Sequence, residues 1–201
     1  QSIAAGKIHS LALLNDGTVK AWGYNGYGQL GDGTTNNRLT PVFVLDPSDP
    51  SGLLSHVTAI SAGGSFYFGG APATFLSAGH SLALLEDGTM KAWGNNGFGQ
   101  LGDGTTIDRL MPVFVLDPSD PSGLLSNVSV IAAGASHSLA LLNDGTVRAW
   151  GFNGYGELGD GTNINRSTPV SVLGLSGVVD ISAGKTWNGD NNTHLYSSHS
   201  L

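Results

Sequence analysis

Three histidines carry the first hint of chemistry in this 201-residue chain. Each is followed at once by a serine, and seven residues later by an aspartate: His9, Ser10 and Asp16; His80, Ser81 and Asp87; His137, Ser138 and Asp144. A Ser-His-Asp set can make a hydroxyl nucleophilic by relaying its proton. On a strand, however, neighbouring side chains point to opposite faces, so such a histidine cannot meet its own serine. A residue that recurs in every unit is also expected to hold the unit together. The histidines are therefore read as structural, hydrogen-bonded to backbone near the next unit, and no residue is assigned a catalytic role.

Other motifs are weighed in the same way. Gly26-Tyr27-Gly28-Gln29-Leu30-Gly31 has the spacing of a dinucleotide fingerprint, with counterparts from Gly97 and Gly154. That fingerprint needs a strand before it and a helix after it, and here a turn and another strand follow, so no cofactor is expected. The segment 45–52, repeated verbatim at 116–123, offers paired carboxylates at Asp46 and Asp49, and at Asp117 and Asp120. Calcium favours several oxygen ligands in a flexible loop. Two carboxylates per proline-rich loop fit a rigid exposed turn better, so no metal site is assigned. Trp22, Trp93 and Trp150 could form a platform for sugars, but one per unit at a fixed position reads as core. Arg38, Arg109 and Arg166 are read as structural guanidiniums that pair with a Gly-Asp-Gly carboxylate or a carbonyl and bridge units.

The elements that position these residues follow from their spacing. From each of the three histidines a Trp lies 13 residues on, a Gly-Asp-Gly-Thr starts 9 later and a Pro stands 10 beyond. The Pro-to-His connectors vary instead: 39, 25 and 30 residues, the last reaching His199 of a fourth His-Ser-Leu. Rigid modules (9–41, 80–112 and 137–169, with a partial repeat at 181–201) joined by variable connectors are the mark of a repeat architecture. Within the first module, residues 8–14 and 18–23 read as strands around Asn15-Asp16-Gly17, a strong hairpin signal. Residues 41–45 and 57–62 supply a third and a fourth strand. Four short strands make one antiparallel blade, and blades must pack face to face around an axis to bury themselves. The expected fold is all-β, a β-propeller of four-stranded antiparallel blades occupying 1–201 as one partial domain.

Composition agrees. The 31 glycines and 11% charged residues suit short strands and tight turns. Net charge is −7, with eight Lys and Arg spread singly, so nucleic acid is not an expected partner. Zero Cys excludes disulfides and thiolate metal sites. No apolar run reaches membrane-spanning length, so no membrane insertion is expected.

The string A-W-G-x-N-G-x-G-x-L-G-D-G-T, then Arg and Pro, then A-G and H-S-L-A-L, resembles the repeat of the regulator-of-chromosome-condensation propellers. It covers Trp22 to Thr34, Trp93 to Thr105 and Trp150 to Thr162, and 14 of the 20 residues from Asn15 to Thr34 are identical in all three units. The resemblance implies a propeller of usually seven blades. Three modules and partial ones do not close such a ring, so a piece of a longer chain is expected, ahead of completion by other copies. The family includes nuclear exchange factors and secreted bacterial inhibitors that bind partners through propeller faces. An acidic chain without a basic tail fits the nuclear role poorly.

Specific function is expected where the repeat is broken. The insertion 64–79 holds Phe66, Tyr67, Phe68 and Phe75, and the insertion 185–198 holds Trp187 and Tyr196. Aromatics among small polar residues suit adaptable binding loops, so these six are the candidate partner contacts. The reading is a non-enzymatic protein- or glycan-binding scaffold, bacterial and extracellular or on the cell surface. The alternative is a self-associating structural subunit of a fibre or adhesin.

Overall fold

The computed structural model of the protein describes residues 2–69 and 74–184, with backbone alone at 66–69 and 74–78. Fourteen strands and no helix occur among the described residues. The first blade is β1 (Ser2–Ala5), β2 (His9–Leu13), β3 (Val19–Gly23) and β4 (Arg38–Phe43), hydrogen-bonded in that order. The chain continues through β5 (Val57–Ala62), β6 (Ser65–Gly69), β7 (Thr74–Ala78), β8 (His80–Leu85), β9 (Met90–Gly94) and β10 (Arg109–Phe114). Of these, β5, β8, β9 and β10 form the second blade, while β6 and β7 pair only with each other. The third blade is β11 (Val128–Ala133), β12 (His137–Leu142), β13 (Val147–Gly151) and β14 (Arg166–Ser171).

This partition differs from the sequence reading at one strand per unit. Residues 57–62 do not complete the first module; they open the second blade, with Ala62 opposite Ser81 and Ile60 opposite Ala83. The connector before them causes the switch. Leu45 bridges Leu53 and Leu54 N–H donates to Val44, folding 45–53 into a compact turn that carries the chain to the next sheet. The matching strand of the first blade is β1, whose short Ser-Ile-Ala-Ala carries too little pattern to read alone. Pro41 falls inside β4 rather than at its start, on the outer edge of the sheet, where a missing N–H breaks no ladder.

The Asp-Gly turns form as expected. Gly17 takes φ 78°, and Asp16 accepts hydrogen bonds from the Thr18 N–H and hydroxyl at 3.0 and 2.7 Å. The same bonds recur at Asp87 with Thr89 and at Asp144 with Thr146. The Thr hydrogen bonds hold all three carboxyls below the usual range.

Antiparallel order gives each blade two ends. The β3–β4 loop and the β1–β2 turn lie at what we call the upper end, and the β2–β3 turn and the 44–56 type connector at the lower. Strand β5 packs against β1 on one side and β11 on the other, so the three are the inner strands about one axis. Ala135 N–H donates to Gly184 at 2.9 Å, and Ile181 and Ala183 pack on the third blade, continuing this arrangement.

The core lies between blades. Leu11, Val19, Ala21 and Leu30 of the first blade meet Val57, Ala62 and Trp93 of the second. Leu82, Met90 and Leu101 meet Val128, Ile131 and Trp150 of the third. Trp93 and Trp150 are fully buried, whereas Trp22 on the leading face of the first blade is half-buried. Replacing Trp150 with Ala should therefore cost about 3–5 kcal/mol in urea unfolding, and Trp22→Ala clearly less; equal losses would contradict a core built between blades.

Candidate interaction surface

Each β3–β4 loop is built on one asparagine. Asn25, fully buried, accepts from Leu30 N–H at 2.9 Å and donates to Asp32 at 3.0 Å and to the Thr34 carbonyl at 2.9 Å. Asp32 in turn accepts from Thr34 and from Arg38 Nε, the latter at 2.6 Å. Asn96, Asp103 and Arg109 repeat the set, as do Asn153, Asp160 and Arg166. Burial raises these aspartates, but the Thr, Arg and Asn hydrogen bonds outweigh it: Asp32 and Asp103 titrate low, and Asp160 falls to about 2. The arginines thus reach the Gly-Asp-Gly carboxylate of their own loop, so this ion pair does not bridge units. Backbone does that instead, with Gly33 N–H donating to Leu110 and Gly104 N–H to Ser167.

His9 and His80 reach across blades to a serine of the next unit. His9 Nε2 lies 2.9 Å from Ser81 Oγ, and Ser81 donates to the Gln29 carbonyl at 2.9 Å. Trp93 Nε1 donates to the same carbonyl at 3.0 Å. His80, Ser138, Gln100 and Trp150 repeat this latch with distances of 3.0, 2.8 and 2.9 Å. Because the one serine proton goes to the carbonyl, the imidazole must donate to the serine oxygen. Ser81 and Ser138 are therefore committed to the blade interface, and Asp16, Asp87 and Asp144 sit at the far, lower end of the strands. No Ser-His-Asp geometry forms at these positions. Gly63 shows how close the inner turns come: a Cβ there would lie 2.2 Å from the Gly134 carbonyl.

At the lower end, the connector carboxylates are also occupied. Asp46 forms a buried ion pair with Lys91, whose ammonium donates to Ser48 at 2.8 Å and lies 4.3 Å from the Phe114 ring centroid. Asp49 accepts from Ser51 and Ser55, which hold it at about 2. The second connector places Asp117 3.9 Å from Arg148. Among the described residues no group of three or more His, Cys, Asp or Glu could hold a metal ion. The sequence reading missed Lys91; its signal was a cation recurring two residues before each Trp, as Lys20, Lys91 and Arg148.

The insertion 64–79, read as a loop, contains a β-hairpin. Tyr67 stands opposite Leu76 and Phe68 opposite Phe75 across β6 and β7. Phe, Tyr and Thr favour strands, but the runs Ser65–Gly69 and Thr74–Ala78 are short and lack apolar–polar alternation, so neither reads as a strand alone. The hairpin joins β5 to β8, so it emerges at the upper end, the end that carries the β3–β4 loops. Gly64 N–H ties its base to Gly134 of the third blade at 3.1 Å. Trp187 and Tyr196, the other candidate contacts, lie outside the described residues.

Comparison with known proteins bears on this arrangement. The sequence pattern described as regulator of chromosome condensation (RCC1) repeat matches residues 16–68, 87–141 and 144–187, and a second pattern of that description matches 1–29 and 128–157. The chain is 30% identical over 229 residues to the Ultraviolet-B receptor UVR8 of Arabidopsis thaliana, covering 92% of this chain and 51% of that protein. It is 30% identical over 215 residues to the mitochondrial RCC1 domain-containing protein RUG3 of the same plant, covering 87% and 47%. With the human E3 ubiquitin-protein ligase HERC2 it shares 32% over 186 residues, 92% of this chain but 3% of the ligase. The chain thus spans about half the length of the plant relatives it matches. Among solved structures, yeast RCC1 (Prp20) bound to Kap60 superposes with a TM-score of 0.63 at 26% identity, over 92% of this chain and 39% of that one.

Two expectations come from the latch. Ser81→Ala removes the partner of the buried His9 Nε2 and one of the two donors to the Gln29 carbonyl, which keeps Trp93, and should cost about 1–3 kcal/mol. Ser10→Ala, at the half-buried counterpart in the first blade, should stay within about 0.5 kcal/mol. Chemical denaturation of both variants checks this. Burial also drives the His137 imidazole from 6.5 down to about 4. The unfolded chain then takes up a proton near 6.5 and the folded chain only near 4, so protons favour unfolding in that window. Stability is full above 6.5 and should fall by about 3 kcal/mol as the pH drops to 4. Urea midpoints unchanged across that range would contradict it.

Proposed function

Since the chain belongs to the regulator of chromosome condensation (RCC1) repeat family, we propose that it is a non-enzymatic scaffold whose upper end binds a protein partner. One observation carries the reading: among the three described blades a hairpin interrupts the second alone, at the end that carries the repeated loops. The repeated polar groups have internal duties. The asparagines, aspartates and arginines close the loops, and Ser81 and Ser138 with His9 and His80 lock blades together. A contact surface is then built from what varies, and β6–β7 is the largest such element among the described strands.

The solved relative fits this picture, since yeast RCC1 is seen bound to a protein, Kap60. A protein is favoured over a glycan on that ground. The relatives named above are plant, human and yeast proteins, so the reading rests on the scaffold and not on an extracellular setting.

The test is to shorten the insertion. In the third blade the corresponding β11–β12 turn is Gly134-Ala135-Ser136. Replacing residues 64–79 with Ala-Ser copies that turn into the second blade. The shortened protein is expected to keep its urea midpoint and to lose at least about tenfold in affinity for partners captured and identified with the intact protein. Alanine at Phe66, Tyr67, Phe68 and Phe75 should reproduce the loss. A shortened protein that binds every such partner as before would overturn the proposal.

A further inference from the structure

The asparagine at the centre of each β3–β4 loop is followed by glycine: Asn25-Gly26, Asn96-Gly97 and Asn153-Gly154. Asn-Gly is a chemically labile step, because glycine has no side chain to keep its backbone nitrogen from the preceding amide. That nitrogen attacks the asparagine Cγ and forms a C–N bond, and ammonia leaves carrying the amide nitrogen. The resulting five-membered succinimide is opened by water at either carbonyl, to aspartate or isoaspartate.

The fold opposes every stage of this at all three sites. Each asparagine is fully buried. Each side-chain oxygen is held by the backbone N–H five residues on, at Leu30, Leu101 and Leu158. Each side-chain nitrogen is fastened to an aspartate and a threonine carbonyl: Asp32 and Thr34, Asp103 and Thr105, Asp160 and Thr162. The amide can neither turn toward the glycine nitrogen nor lose its own nitrogen until the loop opens.

The product would also be incompatible with the closed loop. A carboxylate at position 25 has no N–H to give Asp32 or the Thr34 carbonyl. It would set a second negative oxygen about where an N–H···O contact of 3.0 Å now stands. Asp32 is already matched by the single charge of Arg38. Two carboxylates in contact, largely out of water, cannot both stay ionised without a heavy penalty.

We propose that Asn25, Asn96 and Asn153 are latent modification sites. They are silent while their loops are closed, and convert to aspartate or isoaspartate once a blade opens, after which that blade does not re-form. An opening that would otherwise be reversible becomes permanent, blade by blade.

Peptide mapping by mass spectrometry decides this with the intact chain held at mildly alkaline pH, with and without urea. A synthetic peptide of residues 23–31 gives the unprotected rate. The fourth Asn-Gly, at 188–189, lies outside the described residues and is mapped separately. Conversion that follows the small open population should be at least about 100-fold slower in the folded chain than in the peptide. In urea it should match the peptide. After urea is removed, chains converted at 25, 96 or 153 should be missing from the refolded monomer and enriched in the fraction that fails to refold. Peptide-like conversion in the folded chain would overturn the proposal, as would converted chains recovered among refolded monomers in unchanged proportion. The N25D variant carries the aspartate from synthesis and should lose stability in the first blade; if it does not accumulate, the wild-type mapping still decides.

Discussion

Two peptide carbonyls, those of Gln29 and Gln100, hold the blades in register. Each accepts a serine hydroxyl and a tryptophan indole N–H from the following blade. Both lie inside an interface that is otherwise apolar, where an unmet polar group is costly and a satisfied one specifies geometry. A four-stranded blade this small cannot bury its own faces, so its stability is borrowed from the neighbour, and the neighbour must sit at one height and one angle. The carbonyl, with the histidine behind the serine, sets both. The fully buried Trp93 and Trp150 turn the same contact into a large apolar interface.

The remaining polar residues of the repeat follow from that constraint. A carbonyl can receive two donors from the next blade only if the loop carrying it is rigid. The buried asparagine and the aspartate–arginine pair supply that rigidity without help from strand pairing. At the lower end, the Lys91–Asp46 pair joins the second blade to the connector of the first. A buried ion pair of this kind contributes little net stability over an apolar contact. Its use here is to fix where the connector lies. The residues repeated most faithfully are thus occupied in making the scaffold, and what remains for recognition is the segment that breaks the repeat.

Much of this was legible in the chain. Asp-Gly between short apolar runs marks hairpins wherever it occurs, and fixed spacings from His to Trp to Pro require identical modules. The partition of strands into blades was not legible. Residues 57–62 follow the first module in sequence but belong to the second, because a compact turn at 45–53 outweighs adjacency. The hairpin of β6 and β7 escaped for a different reason: its two runs are short and do not alternate, and only their cross-strand pairing shows it.

The sequence by itself determined the module, its turns, its recurring buried residues and the places where repetition stops. Those are local properties, set by backbone conformation, side-chain alternation and spacing along the chain. The tertiary structure decided which strand joins which sheet, that His9 and His80 meet serines 72 and 58 residues away, and that Asp46 faces Lys91. Those contacts depend on how one blade rotates onto the next. Sequence separation carries no record of that rotation, because it is settled only when the apolar faces close and the carbonyls of Gln29 and Gln100 find their donors.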